Sequence, residues 1–236
     1  MPNLVPLEEN KRIQRVPDFS QLISGEWRDG INARCWPRAL VGDFAEVVAA
    51  LEPGEGITTL TESSLLGLNL TPAGKMAVEL MLGDYRLLQQ LGRDPELNCI
   101  RSYPRDDDPE VIATDVYSYH ADSAPTAADT FLCTYHGAPS EGLRNEDALR
   151  KIDDPALRKE LLSRFGGDDN EDFHHFLKES CYDLHYAPLP HTRPWSFGIG
   201  NFWRICCDFP QSPVPPCIHR APDNLPGDPP RLLLIA

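Results

Sequence analysis

Proline locks φ at about −65° and has no amide hydrogen to donate, and this chain spends 23 of its 236 residues on it. That density disfavours a helical bundle and favours turns and extended segments. Two stretches escape the rule. Pro37 stands near the start of a stripe, Leu40, Val41, Phe44, Val47, Val48 and Leu51, whose spacing predicts a helix over 37–51. Pro53-Gly54-Glu55-Gly56 stops it. Thr71-Pro72 then opens a second helix, along which Met76, Leu80, Met81, Tyr85, Leu87, Leu88 and Leu91 run until Gly92 ends it. Core packing accounts for both stripes.

From about Asn98 the rhythm changes to short extended runs: 97–103, 111–119, 130–135, 195–207, 217–219 and 231–235. Asp106-Asp107-Asp108-Pro109 reads as a turn, and its acids as a solvated loop sooner than a cation site. Residues 143–187 interrupt the strands. Asn145 is a candidate cap, Pro155 to Phe165 a helix, 166–170 a loop, and Glu171 to Leu184 a further helical piece. The block reads as an insertion of the kind that forms a lid over a site. The expectation is a single domain over 1–236, mainly β with a helical buttress (α+β). Bracing helices would occupy 1–95 and the β part 96–236.

Apolar residues make up 41% and charged residues 25%, the composition of an ordinary globular chain. A formal net charge of −14 argues against nucleic acid and anionic membranes as partners, because phosphates want Lys and Arg. It permits a cationic substrate, though solubility is the simpler and preferred explanation. The cysteines, Cys35, Cys99, Cys133, Cys181, Cys206, Cys207 and Cys217, are odd in number and form no C-x-x-C pair, which argues against a zinc ribbon or a disulfide framework. The N-terminus lacks the apolar core of a secretory signal, and no apolar run reaches membrane-spanning length. A cytoplasmic, reducing setting is the expectation.

The chemistry concentrates in Val116-Tyr-Ser-Tyr-His-Ala-Asp122. Side chains alternate along a strand, so His120 and Asp122 would share a face and grip one ion. Cys217-Ile-His-Arg-Ala-Pro222 offers His219 as a third ligand. Arg231 follows twelve positions later (231 − 219 = 12) and opens a strand expected to lie beside that of His219. Two histidines and a carboxylate with open positions make a facial triad suited to Fe(II). Arg220 is a rival cation, but if His219 points inward its neighbour points outward. Asn98, Arg101, Tyr103, Thr134 and Trp203 are candidate cavity residues, each with a plain core or surface reading. His174, His175 and His185 lack the carboxylate spacing of a zinc motif and read as exposed helix residues. His136 and His191 sit near turns. Cys206-Cys207 reads as two buried thiols, and a Cys217–His219 hydrolase lacks a third group.

His120-x-Asp122, His219 and Arg231, in this order, resemble the Fe(II)/2-oxoglutarate-dependent oxygenase superfamily. The text around them, Tyr119-His-Ala-Asp122, Leu132-Cys-Thr-Tyr-His-Gly137 with Ser140-Glu141, and Ile218-His-Arg-Ala-Pro222, is also loosely similar to an uncharacterised bacterial domain family of that type. The likeness covers residues 95–236. It implies a double-stranded β-helix, a jelly-roll or cupin-like barrel. It also implies Fe(II) held by His120, Asp122 and His219, and 2-oxoglutarate paired through its far carboxylate with Arg231, with Arg220 and Thr134 nearby. Dioxygen would be the oxidant and a small molecule, amino-acid-like or a natural product, the substrate for hydroxylation or a related C–H oxidation. Two alternatives stand beside this: a cupin-like metal enzyme that does not use 2-oxoglutarate, and a non-enzymatic small-molecule-binding barrel.

Overall fold

The computed structural model describes residues 4, 6–106, 111–223 and 227–236. In chain order the regular elements are β1 (Ile13–Arg15), α1 (Phe19–Ser24), β2 (Ala33–Trp36), α2 (Phe44–Leu51), β3 (Ile57–Leu60), α3 (Glu62–Leu66), α4 (Pro72–Gln90), β4 (Glu96–Ile100) and β5 (Asp129–His136). They continue with β6 (Glu141–Leu143), β7 (Ala148–Arg150), α5 (Pro155–Phe165), α6 (Glu171–Glu179), β8 (Tyr186–Pro188), β9 (Trp195–Ser196), β10 (Phe202–Cys206), β11 (Ile218–Arg220) and β12 (Arg231–Ile235). No described helix is long and apolar enough to cross a membrane.

The fold is mixed α/β around one large sheet. Seven strands run in the order β1-β2-β10-β5-β12-β4-β3, and a smaller sheet runs β11-β6-β9. Neither closes on itself as a barrel among the described residues. Period-two alternation decides what each face of the large sheet buries. Phe131, Cys133 and Tyr135 of β5, with Leu232 and Leu234 of β12, pack against Phe44, Val47, Met81 and Leu88 of the helices. Leu132 and Leu233 point the other way and meet Trp195, Phe197 and Cys217 from the smaller sheet side. A strand buried on both faces has to be apolar throughout, which is why β12 reads Leu-Leu-Leu. Arg231 shares the parity of Leu233, so its side chain enters the space between the sheets.

The helices form where local signals demand. Thr71 caps α4, accepting from the Gly74 amide at 3.4 Å, with Pro72 in its first turn. Beyond Gln90, Gly92 takes φ +72°. The buried face of α4 is Ala77, Val78, Met81, Leu82 and Leu88, and Met76 of the expected stripe is exposed. The helix expected from Pro37 begins only at Phe44. Gly42, at φ +112°, breaks the run, Asp43 caps the helix, and Arg38 turns inward to bind Asp84 of α4. Tyr135 donates to the same carboxylate at 2.7 Å, so a buried polar pin joins α4 to β5.

Within 143–187, Pro155–Phe165 is the helix the sequence announces, and the second piece is α6 followed by a 3-10 turn at Tyr182–Leu184. Asn145 begins a 3-10 turn, but its amide donates to the Pro216 carbonyl and caps nothing. The block has its own core of Ile152, Leu161, Phe173 and Leu177, which Ile112 joins. The stretch 111–119 forms no strand. Asp115 accepts from the Tyr117 and Ser118 amides at 3.0 and 3.3 Å, local bonds that turn the chain. Asp107, Asp108 and Pro109 lie outside the described residues, while Asp106 accepts from the Thr114 and Asp115 amides.

Candidate metal centre

The segment carrying His120 and Asp122 is not a regular strand, contrary to expectation. It is a short extended stretch paired on both flanks through isolated bridges to His185 and His219. The His120 amide donates to the His219 carbonyl at 2.9 Å, and the His219 amide donates back at 2.8 Å. Two antiparallel residues that exchange both bonds face each other directly with their side chains on one side. The imidazoles follow, with ring centroids 4.6 Å apart. The pairing continues across the smaller sheet: His219 opposes Gly142, and Gly142 opposes Trp195. One row thus reads His185, His120, His219, Gly142, Trp195.

Each of the three side chains is oriented by a second bond. Nδ1 of His120 lies 2.7 Å from the Ser118 carbonyl, and Nδ1 of His219 lies 3.3 Å from the Cys217 carbonyl. A carbonyl only accepts, so each Nδ1 carries the proton and each Nε2 keeps its lone pair for an ion. Thr130 donates to Asp122 Oδ2 at 2.5 Å, and that oxygen lies 3.8 Å from His219 Nε2. Ligand atoms of His120, Asp122 and His219 all fall within 4.8 Å of one another, so the three could hold a metal ion. Burial, aided by the neighbouring His219, pushes His120 down to about 4. Burial alone would raise the Asp122 carboxyl, but His219, the Thr130 hydroxyl and His120 together hold it below its ordinary value. A neutral His120 and an ionised Asp122 are the forms that a divalent cation requires.

Arg231 completes the site from the large sheet. Its strand does not lie beside that of His219 as expected: β12 pairs with β4 and β5, and β11 pairs with β6. The two residues meet across the gap between sheets, on a cavity of about 140 Å³ that Tyr103, His120, Asp122, Ser140, His219 and Arg231 line with Leu132 and Leu233. Arg231 is 1% exposed. Its Nη1 donates to the Tyr103 hydroxyl at 2.9 Å, and its Nη2 to Ser140 at 3.0 Å and Thr134 at 3.3 Å. Nε has no partner, and no acid pairs with this guanidinium among the described residues.

Of the other candidates, Arg220 points away from the cavity, as alternation requires. Its Nε and Nη2 both reach Glu141 Oε2, at 2.9 and 2.7 Å, and it lies over the Tyr119 ring. Thr134 holds Arg231 and does not line the cavity. Asn98 accepts from Thr59 within the sheet, Arg101 reaches outward to Pro53, and Trp203 donates to Phe197 in the core. Only Tyr103 of the five lines the cavity. His185 is no exposed helix residue: it is 3% exposed, 5.8 Å from the His120 ring, with Nδ1 unpartnered among the described residues. His174 and His175 are exposed on α6, as expected. Cys217 is buried and its thiol is pushed well above its ordinary value by burial, the reverse of what a nucleophile needs. Cys206 and Cys207 are buried free thiols.

Thr130, Ser118, Ser140 and Lys151 carry no mark of a site residue in the sequence. Nothing in a lone hydroxyl or amine marks it, since each earns its place through a contact distant in sequence. No protein-family model matches the chain, and no curated protein or solved structure shows significant similarity to it.

Proposed function

We propose that the chain is a non-haem Fe(II)- and 2-oxoglutarate-dependent oxygenase acting on a small molecule. The observation that carries the reading is Arg231. A buried cation without a counter-charge is costly, and this one opens onto the same small cavity as two imidazoles and a carboxylate. A co-substrate with one end for the metal and a distal carboxylate for the guanidinium would satisfy both. The donor set fits the ion: two nitrogens and one oxygen, each with its outer hydrogen bond made, approach from one side. The order β4-β12-β5-β10 facing β11-β6-β9 supports a jelly-roll of the double-stranded β-helix type, with the site between its sheets.

In this reading His120, Asp122 and His219 would hold the ion. Arg231, set by Tyr103, Ser140 and Thr134, would give the far carboxylate a charge-assisted bond and so fix the co-substrate's direction. Leu132 and Leu233 keep water from the cavity. When bound, ferrous ion supplies the redox chemistry that couples dioxygen and 2-oxoglutarate to C–H oxidation. The substrate approaches from outside this small cavity, and the acidic chain suits neither nucleic acid nor an anionic membrane. A cytoplasmic location belongs to the same proposal.

The test is 2-oxoglutarate turnover. Purified protein with Fe(II) should consume dioxygen and release succinate. Asp122→Ala should lose iron binding and all turnover. Arg231→Ala should keep iron but bind 2-oxoglutarate more weakly by a factor on the order of 10 to 100, the worth of a charge-assisted pair. Iron binding without succinate release, or Arg231→Ala with unchanged 2-oxoglutarate affinity, sinks the assignment.

A further inference from the structure

The helical block 143–187 is bonded to the back of the metal segment. The Ala121 amide donates to Leu184 at 3.1 Å, the Tyr186 amide to Tyr119 at 2.8 Å, and the Lys151 amide to the carbonyl of His185 at 2.8 Å. One side-chain bond joins these contacts to the site. Lys151 Nζ donates to Ser118 Oγ at 2.7 Å, and the carbonyl of the same Ser118 receives His120 Nδ1–H at 2.7 Å. Lys151 is half-buried and forms no ion pair among the described residues. Placing an ammonium on a neutral hydroxyl, partly out of water, is an unfavourable way to satisfy a lysine. Here it pins the one residue whose carbonyl sets the ring of His120.

We propose that Lys151 is a positioning residue of the metal centre: by holding Ser118 it fixes the Ser118 carbonyl, and through it the tautomer and aim of His120. The helical block is then part of the machinery that shapes the site. This inference rests on the metal-binding reading of His120, Asp122 and His219. Outer partners of this kind commonly change metal affinity by about 10- to 100-fold.

The experiment compares Lys151→Met, Ser118→Ala and the double variant with the unaltered protein, using Co(II) as the probe and its visible absorption as the readout. Nitrogen-15 NMR of the His120 ring in metal-free protein is the second readout. Each single variant should weaken Co(II) binding about tenfold or more, and the double variant should lose no more than the worse single, because both break one chain of contacts. The His120 ring should pass from a single Nδ1–H tautomer to a mixture in Lys151→Met. Unchanged Co(II) affinity with an unchanged tautomer, or losses that simply add, overturns the proposal. If the unaltered protein binds no Co(II), the triad reading fails, and the His120 tautomer alone then decides the role of Lys151. Should Lys151→Met not fold, Lys151→Gln and Ser118→Ala carry the same comparison.

Discussion

Asp122 shows how little of a carboxylate's behaviour resides in the carboxylate itself. A carboxylate buried beside two rings should rise in pKa, yet this one is held down by His219, the Thr130 hydroxyl and His120. The bond from Thr130 Oγ1, at 2.5 Å, also decides which way the carboxylate turns. Thr130→Val keeps the shape and removes the donor. It should weaken divalent-metal binding about tenfold, in line with other outer partners of metal ligands, with the fold intact by circular dichroism. Equal affinity for the two proteins would show that the Thr130 bond does not orient Asp122.

At the scale of strands, the site depends on β6 standing beside β11. Gly142 lies directly opposite His219, and a Cβ there would fall 2.3 Å from Cε2 of Trp195, whose ring is fully buried. The indole occupies the room that the glycine leaves, and Phe197 links it to His219 through an edge contact at 6.2 Å. Gly142→Ala should therefore cost roughly 1–3 kcal/mol by overpacking and also loosen metal binding, read by urea denaturation and Co(II) titration. A stability loss with no change in Co(II) affinity would show that β6 does not position His219. The same strands show why the sequence was legible only in part. Thr71, Pro72 and Gly92 announced α4, and Pro155 announced the start of α5, because caps and breakers act within a few residues. β12 was visible as an apolar run. The pairing of β12 with β5, the start of α2 at Phe44, and the row running from His185 to Trp195 were not, since each is settled by a contact remote in sequence. Residue type and order single out His120, Asp122, His219 and Arg231, which do line one cavity, but Arg231 does not stand on a strand beside that of His219. It arrives from the opposite sheet.

For the molecule as a whole, the buried histidines should make acid the weak side of its stability. Burial is the main cause that pushes His120 and His185 down to about 4, and their rings lie 5.8 Å apart. An unfolded histidine takes a proton near pH 6.5. Between those values the unfolded chain binds protons that the native metal-free protein refuses, so stability is full above about pH 6.5 and falls as pH drops toward 4. Each group contributes a slope of at most roughly 1.4 kcal/mol per pH unit. Thermal melts of metal-free protein from pH 7.5 to 5 should follow that course, and His185→Asn should flatten the slope. A bound ion steepens the same trend, because it requires the deprotonated ligands that acid removes. At a free concentration one hundred times its dissociation constant it should add about 2.7 kcal/mol at neutral pH. The increment should shrink as pH falls and be absent in Asp122→Ala. A melting temperature indifferent to both pH and divalent metal would mean that the three ligands do not come together as one site in solution.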